Sequence, residues 1–199
     1  DPSVVFTLIG FMSCLAFLPI CMMDFSHPSH KRDLEQEKEF WCAWKSAFSA
    51  VISNSRLWLA GALEMLVYLV TYSIKAFLPL YALYAADFNL LAVGLFFTVQ
   101  EAAHLVMRPV GGRFGDRMGY LAAINVGYLV LVIGLSLLPY ATAHVELLVI
   151  AVVLGAGQGL IFPSTVAFVS RCVDTRHLGA GMGFLGAVRN FGKVAGPLT

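Results

Sequence analysis

Charge is what this sequence has least of. Only 13% of its 199 residues are Asp, Glu, Lys or Arg, against 59% hydrophobic, and its mean hydropathy is +0.79. A soluble domain carries about a quarter charged residues, because its surface must face water. A chain this poor in charge cannot coat such a surface, so lipid must be its solvent over much of its area. Net charge is +1, which leaves no case for nucleic acid or a strongly acidic partner. Cysteine is also scarce. Cys14, Cys21, Cys42 and Cys172 form no CxxC pair. Cys14 and Cys21 lie roughly 10 Å apart along a helix, too far for a disulfide. They read as small packed hydrophobes. No Walker loop is present, so ATP coupling within this chain has no support, and no cofactor is expected.

Long apolar runs are what it has in plenty. Six stretches, approximately 3–23, 57–84, 88–108, 120–141, 146–170 and 178–199, reach the length of about 20 residues that a helix needs to cross a bilayer. Backbone groups in lipid must bond internally, so such segments are helices or barrel strands. Barrel strands are about half this length and alternate polar with apolar. These runs are apolar throughout, and the fold expected is all-α, a polytopic transmembrane helical bundle. The lipid bilayer is then a partner by construction of the sequence.

Residues 24–56 form the only long polar connection. Pro28 breaks any helix leaving the membrane, a charge run follows from Lys31 to Glu39, and Phe40, Trp41 and Trp44 suit a return to the interface. If this connection is cytoplasmic, ten Lys and Arg lie on its side of the membrane and none in the opposite connections near Asp87–Asn89 and Thr142–Glu146. That is a clear positive-inside bias. The other three cations, Lys75, Arg189 and Lys193, fall inside the apolar stretches. Asp24, His27 and His30 are spaced for a metal, but Pro28 interrupts their helix and no fourth ligand is evident, so no metal site is expected.

After the third stretch comes Arg108-Pro109-Val110-Gly111-Gly112-Arg113-Phe114-Gly115-Asp116-Arg117-Met118-Gly119. It reads as a tight connection in which the glycines permit close approach and unusual dihedrals. Asp116 is placed to accept from free amides at the next helix start, or to pair with Arg113 or Arg117. In this segment the chain resembles the major facilitator superfamily, whose signature loop reads G-x-x-x-D-R-x-G. Gly112, Asp116, Arg117 and Gly119 match it, while Tyr120-Leu121-Ala122 stands where further basic residues are usual. That departure favours the weaker copy of the loop found in the second of the family's two six-helix bundles. The order of parts is similar to the sixth through eleventh of twelve helices, with Gly155-Ala156-Gly157-Gln158-Gly159 resembling a tenth helix.

The resemblance implies an incomplete C-terminal half. Residues 1–23 would close the N-terminal bundle, 24–56 would connect the halves, and 57–199 would give five helices of the second bundle. The chain starts at Asp1 and stops at Thr199 within an apolar stretch, so a missing N-terminal bundle of the same chain is an expected partner. The resemblance further implies that Gly112, Arg113, Asp116, Arg117 and Gly119 form a cytoplasmic latch.

Charge inside a membrane span is costly and usually faces a bundle interior or a water-filled cavity. Glu64 and Lys75 share a helix face about 16 Å apart, too far to pair within one helix. Glu101, His104 and Arg108 fall at i, i+3 and i+7 in a single stripe. Glu64, Glu101 and His104 are the candidates for proton coupling or for charge pairing. Lys75, Gln158, Arg189, Asn190 and Lys193 are the candidates for substrate binding, with Arg189 or Lys193 meeting an anionic group. The competing reading is interhelical pairing of Glu64 or Glu101 with Arg189 or Lys193, which would fix packing alone. Gly181-x-Gly183-x-x-Gly186 has the letters of a dinucleotide fingerprint but follows no strand. Gly179, Gly183, Gly192 and Gly196 read instead as small faces for helix contact.

The expectation is a secondary active transporter of a small-molecule substrate, proton-coupled and outward-directed, in the cell's inner membrane with residues 24–56 and 111–119 cytoplasmic. The alternative is a membrane-embedded enzyme or receptor-like scaffold on the same fold. An enzyme would need a clustered nucleophile, metal set or catalytic pair, and a channel would need rings of charge. The sequence offers neither.

Overall fold

The computed structural model describes residues 51–84 and 89–198, together with positions 7, 11, 14 and 49. The chain divides into two compact units, Asp1–Trp41 and Cys42–Thr199. In the first, Thr7, Phe11 and Cys14 are helical. The rest of the 3–23 stretch, most of the 24–56 connection, the Asp24, His27 and His30 cluster, Cys21, Cys42 and Asp87 all lie outside the described residues. Besides helical positions at Ser49, Val51 and Ile52, the second unit holds, among the described residues, five long helices. They are α1 (Ser55–Tyr84), α2 (Leu90–Met118), α3 (Tyr120–Leu137), α4 (His144–Cys172) and α5 (Leu178–Ala195). Short 3-10 turns follow α3 and α5, and a third precedes α5. No strand occurs among the described residues.

Helix starts are set by side chains that accept from the orphan amides of a first turn. Asn89 Oδ1 accepts from the Ala92 amide at 2.8 Å and opens α2. Glu146, in the first turn of α4, reaches back to the amides of Thr142 and Ala143 at 2.8 and 3.1 Å. Asn54 works twice. Its Oδ1 accepts from the Arg56 amide at the start of α1, and its Nδ2 donates at 2.9 Å to the Cys172 carbonyl that ends α4.

Burial is inverted relative to a soluble domain. Glu64 and Gln100 are 1% exposed and Ser164 and Thr165 are sealed, whereas Leu105, Val106, Leu129 and Val132 stand more than half exposed. Polar groups face inward and aliphatic ones outward, as a lipid solvent requires. Among the described residues, helices over Ser55–Ala82, Leu90–Met118, Tyr120–Tyr140 and His144–Cys172 are long and apolar enough to cross a membrane. The expected sixth stretch differs. It forms the 18-residue α5 and then a 3-10 turn over Gly196–Leu198, and is not among those four. Glycines, Arg189 and Lys193 dilute its apolar character, and Pro197 supplies no amide to continue the helix.

The main core joins α1 to α4 around Phe96, Leu131, Leu147 and Leu154. A smaller one gathers Leu57, Ala60, Val169 and Leu185 against α5. The glycine run of α4 permits the closest approaches. A Cβ at Gly155 would sit 2.2 Å from the Gln100 carbonyl oxygen of α2, and one at Gly157 would sit 2.9 Å from the Gly127 oxygen of α3. Contact on two sides leaves no room for a side chain at either position.

Two expectations about glycine and the loop need correction. Gly192 and Gly196 do press on α1, with a Cβ 2.5 and 2.6 Å from the carbonyl oxygens of Met65 and Leu69, but Gly179 and Gly183 face open space. The segment 108–118 is not a loop. Helix α2 runs through Pro109 and the glycines to Met118, and the reversal falls on Gly119 alone, at φ 94 and ψ 144, a conformation L residues rarely adopt.

A charged cavity between four helices

Helix α1 presents Glu64, Tyr68, Thr71, Tyr72 and Lys75 on one face, at spacings of four, three, one and three residues. Against it α2 sets Glu101, His104 and Arg108, α4 sets Gln158, Ile161 and Phe162, and α5 sets Lys193. Together they line a cavity of about 210 Å³.

Ion pairs tie these helices to one another. Lys75 Nζ lies 2.9 Å from Glu101 Oε1, joining α1 to α2. Arg189 donates from Nε to Glu64 Oε2 at 3.2 Å and from Nη2 to Oε1 at 3.4 Å, a two-pronged contact that joins α5 to α1. Glu101 Oε2 also meets His104 Nδ1 at 3.5 Å, and Arg108 Nε donates to His104 Nε2 at 3.4 Å. An arginine can only donate and a carboxylate can only accept. His104 thus sits with Nε2 toward Arg108 and Nδ1 toward the Glu101 carboxylate, a link between the two. Nearby, Gln158 Nε2 donates to Thr71 Oγ1 at 2.9 Å, and Thr71 donates on to the Val67 carbonyl. The Tyr128 hydroxyl of α3 donates to the Leu63 carbonyl of α1.

Aromatic faces carry the remaining positive charge. The Arg108 guanidinium lies 4.8 Å from the Phe162 ring centre, and that of Arg189 lies 4.9 Å from the same ring. Lys193 Nζ lies 5.3 Å from the Tyr68 ring and 5.9 Å from Tyr72. These are cation–π distances.

The expected site residues divide accordingly. Glu64, Lys75, Glu101, His104, Gln158 and Lys193 line the cavity, and Arg189 reaches its edge through Glu64. Asn190 is exposed and lies apart from it. Sequence reasoning missed Tyr68, Tyr72 and Phe162. The spacing of four that places Glu64, Tyr68 and Tyr72 on one helix face was the available signal. The Gly112–Gly119 segment lies beyond the cavity, at the end of α2. Arg113 and Arg117 are exposed and neither is paired with Asp116. Nor does Asp116 cap α3, whose N-cap position, Gly119, has no side-chain bond. Asp116 Oδ1 instead accepts from the Tyr120 hydroxyl at 2.8 Å, and the Arg171 guanidinium of α4 lies 4.8 Å from the Tyr120 ring. The reason is geometric. Helix continues past Asp116, so its carboxylate meets a side chain one turn ahead and not a free amide. Among the described residues no His, Cys, Asp or Glu cluster is arranged to hold a metal, and Cys14 and Cys172 are free thiols.

A helical unit with polar groups turned inward onto a charged cavity suits several membrane families, and comparison with known proteins selects one. The sequence profile of the Major Facilitator Superfamily matches residues 1–198. The chain belongs to the Major Facilitator Superfamily. It is accordingly a multi-pass integral membrane protein of a transporter family. This superfamily chain is similar to quinolone resistance protein NorA of Staphylococcus aureus (strain Mu50 / ATCC 700699), 22% identical over 135 residues, which cover 66% of the chain and 34% of NorA. It is also similar to the uncharacterized MFS-type transporter Rv1250 of Mycobacterium tuberculosis (strain ATCC 25618 / H37Rv). The identity there is 33% over 101 residues, covering 49% of the chain and 17% of that protein. The chain thus spans about a third or less of the length of the curated relatives it matches.

Proposed function

We propose that this chain is part of a secondary active transporter that carries a small solute by alternating access, with the cavity between α1, α2, α4 and α5 as its share of the solute site. The observation that carries this reading is a charged cavity inside a bundle whose outside is aliphatic. Setting a sealed Glu64, four half-buried cations and Glu101 inside a bundle costs far more than filling the same volume with leucine. Pairing alone would not require an open volume beside them.

In this reading residues 1–23 belong to the first bundle, 24–56 connect the halves on the cytoplasmic side, and 57–199 belong to the second bundle. The membrane is the cell's inner membrane. Gly112, Arg113, Asp116, Arg117 and Gly119 lie at the cytoplasmic end and act there as a latch, with Tyr120 and Arg171 as additional members. Glu101 is the best-placed proton carrier. It is half exposed to the cavity and holds both Lys75 and His104, so protonating it would release two contacts in one step. A relative named for quinolone resistance supports the outward direction, since resistance follows most simply from removing the drug.

The test is flux in proteoliposomes holding the full-length protein, with a panel of solutes and an imposed pH gradient. Glu101→Gln should abolish accumulation driven by the gradient while leaving solute exchange at zero gradient. Accumulation that persists in this variant assigns the coupling elsewhere, and absence of flux for every solute rejects the transport reading.

A further inference from the structure

Among the described residues, two of the four cations around the cavity have no carboxylate. Glu101 is committed to Lys75 and Glu64 to Arg189. Among the described residues, Arg108 meets His104 and the Phe162 face, and Lys193 meets the Tyr68 and Tyr72 faces. Both cations are half-buried, and a ring face compensates a cation much less than a carboxylate does. The cavity therefore holds a positive field that its own side chains leave unbalanced.

We propose that Arg108 and Lys193 are an anion-binding pair, and that the solute taken here is a small organic anion with a planar body. The inference rests on reading this cavity as the solute site and deepens that reading by naming the solute's class. The two cations enter from different helices, α2 and α5, and both line the one cavity. Arg108 offers a planar fork that matches a carboxylate, and Lys193 offers a compact charge that suits any anionic oxygen. The rings of Phe162 and Tyr68 stand between them. Phe162 faces both Arg108 and Arg189, and Tyr68 faces both Arg189 and Lys193. A bound anion draws the cations toward itself and leaves those ring faces for the flat part of the solute.

The probes are benzoate, phenylphosphonate, benzamide and benzylamine, which share a ring and differ in the charge of the head. Thermal stabilisation of the purified full-length protein in detergent gives their affinities. Benzoate and phenylphosphonate should stabilise it and the other two should not. Arg108→Gln and Lys193→Gln should each weaken anion binding by about tenfold or more, the loss of one charge-assisted contact. Arg108→Lys should restore part of it, and Ser136→Ala on the outside of α3 should change nothing. Elution as a single species separates lost binding from lost folding, and the Arg108→Lys variant keeps the test decisive if Arg108→Gln fails to fold. Stabilisation by benzylamine or benzamide as strong as by the anions overturns the proposal. So does the absence of any anion effect at millimolar concentration, or an effect that survives both substitutions. Exchange measurements in proteoliposomes keep the two readings apart. An anion that binds at this pair but never crosses leaves the site standing and removes transport. A carried benzylamine leaves transport standing and removes the anion pair.

Discussion

A carboxylate buried as deeply as Glu64, 1% exposed, is costly unless a cation faces it, and Arg189 does. Taking Arg189 away would strand that charge, and breaking a buried pair from one side costs about 3–5 kcal/mol. Arg189→Gln should therefore lower the unfolding temperature of the purified protein sharply. Removing both charges, with Glu64→Gln added, should recover most of the loss, since two neutral amides can bond to each other. A double variant no more stable than Arg189→Gln alone would show that the arginine serves something other than Glu64. The same logic bears on reading Arg189 as a substrate residue. Loss of flux in Arg189→Gln by itself does not separate binding from stability, whereas flux in the double variant does. Which cation meets which carboxylate was beyond the sequence. The spacing of Glu101, His104 and Arg108 announced one stripe, but the partner across the gap depends on where neighbouring helices cross.

At the scale of the helix, apolar length was enough to show that these elements exist, and their ends were harder to place. The glycines after Pro109 read as a loop because glycine and proline usually punctuate helices. Here Gly111 and Gly115 serve contact instead, while Gly112 meets open space: a Cβ at Gly111 would stand 2.5 Å from the Gly159 carbonyl oxygen of α4, and α2 keeps its helix to be pressed there. Proline within a membrane helix is tolerated when neighbours satisfy the freed carbonyl. Close packing of α4 gives a sharp contrast between two substitutions. Gly155→Ala puts a methyl 2.2 Å from backbone that cannot yield, whereas Gly94→Ala on α2 meets nothing within 4 Å. The first should cost several kcal/mol or prevent folding, as overpacking does. The second should be neutral or gain up to about 1 kcal/mol of helix propensity. Thermal unfolding of the two variants side by side checks both, and equal stability would mean that α2 and α4 stand farther apart than described.

At the scale of the whole described unit, the turn at Gly119 and the turn between Pro139 and Ala143 lie at opposite ends of α3. Met118 and Tyr140 are both well exposed. In a background freed of native cysteine, Met118→Cys should react with an impermeant maleimide from one side of the membrane and Tyr140→Cys from the other. Labelling of both from the same side would contradict a bilayer crossing by α3. The packing of helices also has a mechanical side. Glycine contacts weld α2, α3 and α4 into one slab, and Gly192 and Gly196 fasten α5 to α1 as a second. Between the slabs, beside the apolar contacts of the two cores, run polar links: Lys75 to Glu101, Thr71 to Gln158, Leu63 to Tyr128 and Asn54 to Cys172. Polar links can be exchanged for water or for a guest one at a time, while interlocked backbones yield all together or not at all. The seam is thus the compliant layer of a stiff laminate, and the cavity sits in it, where a small shear changes its volume most.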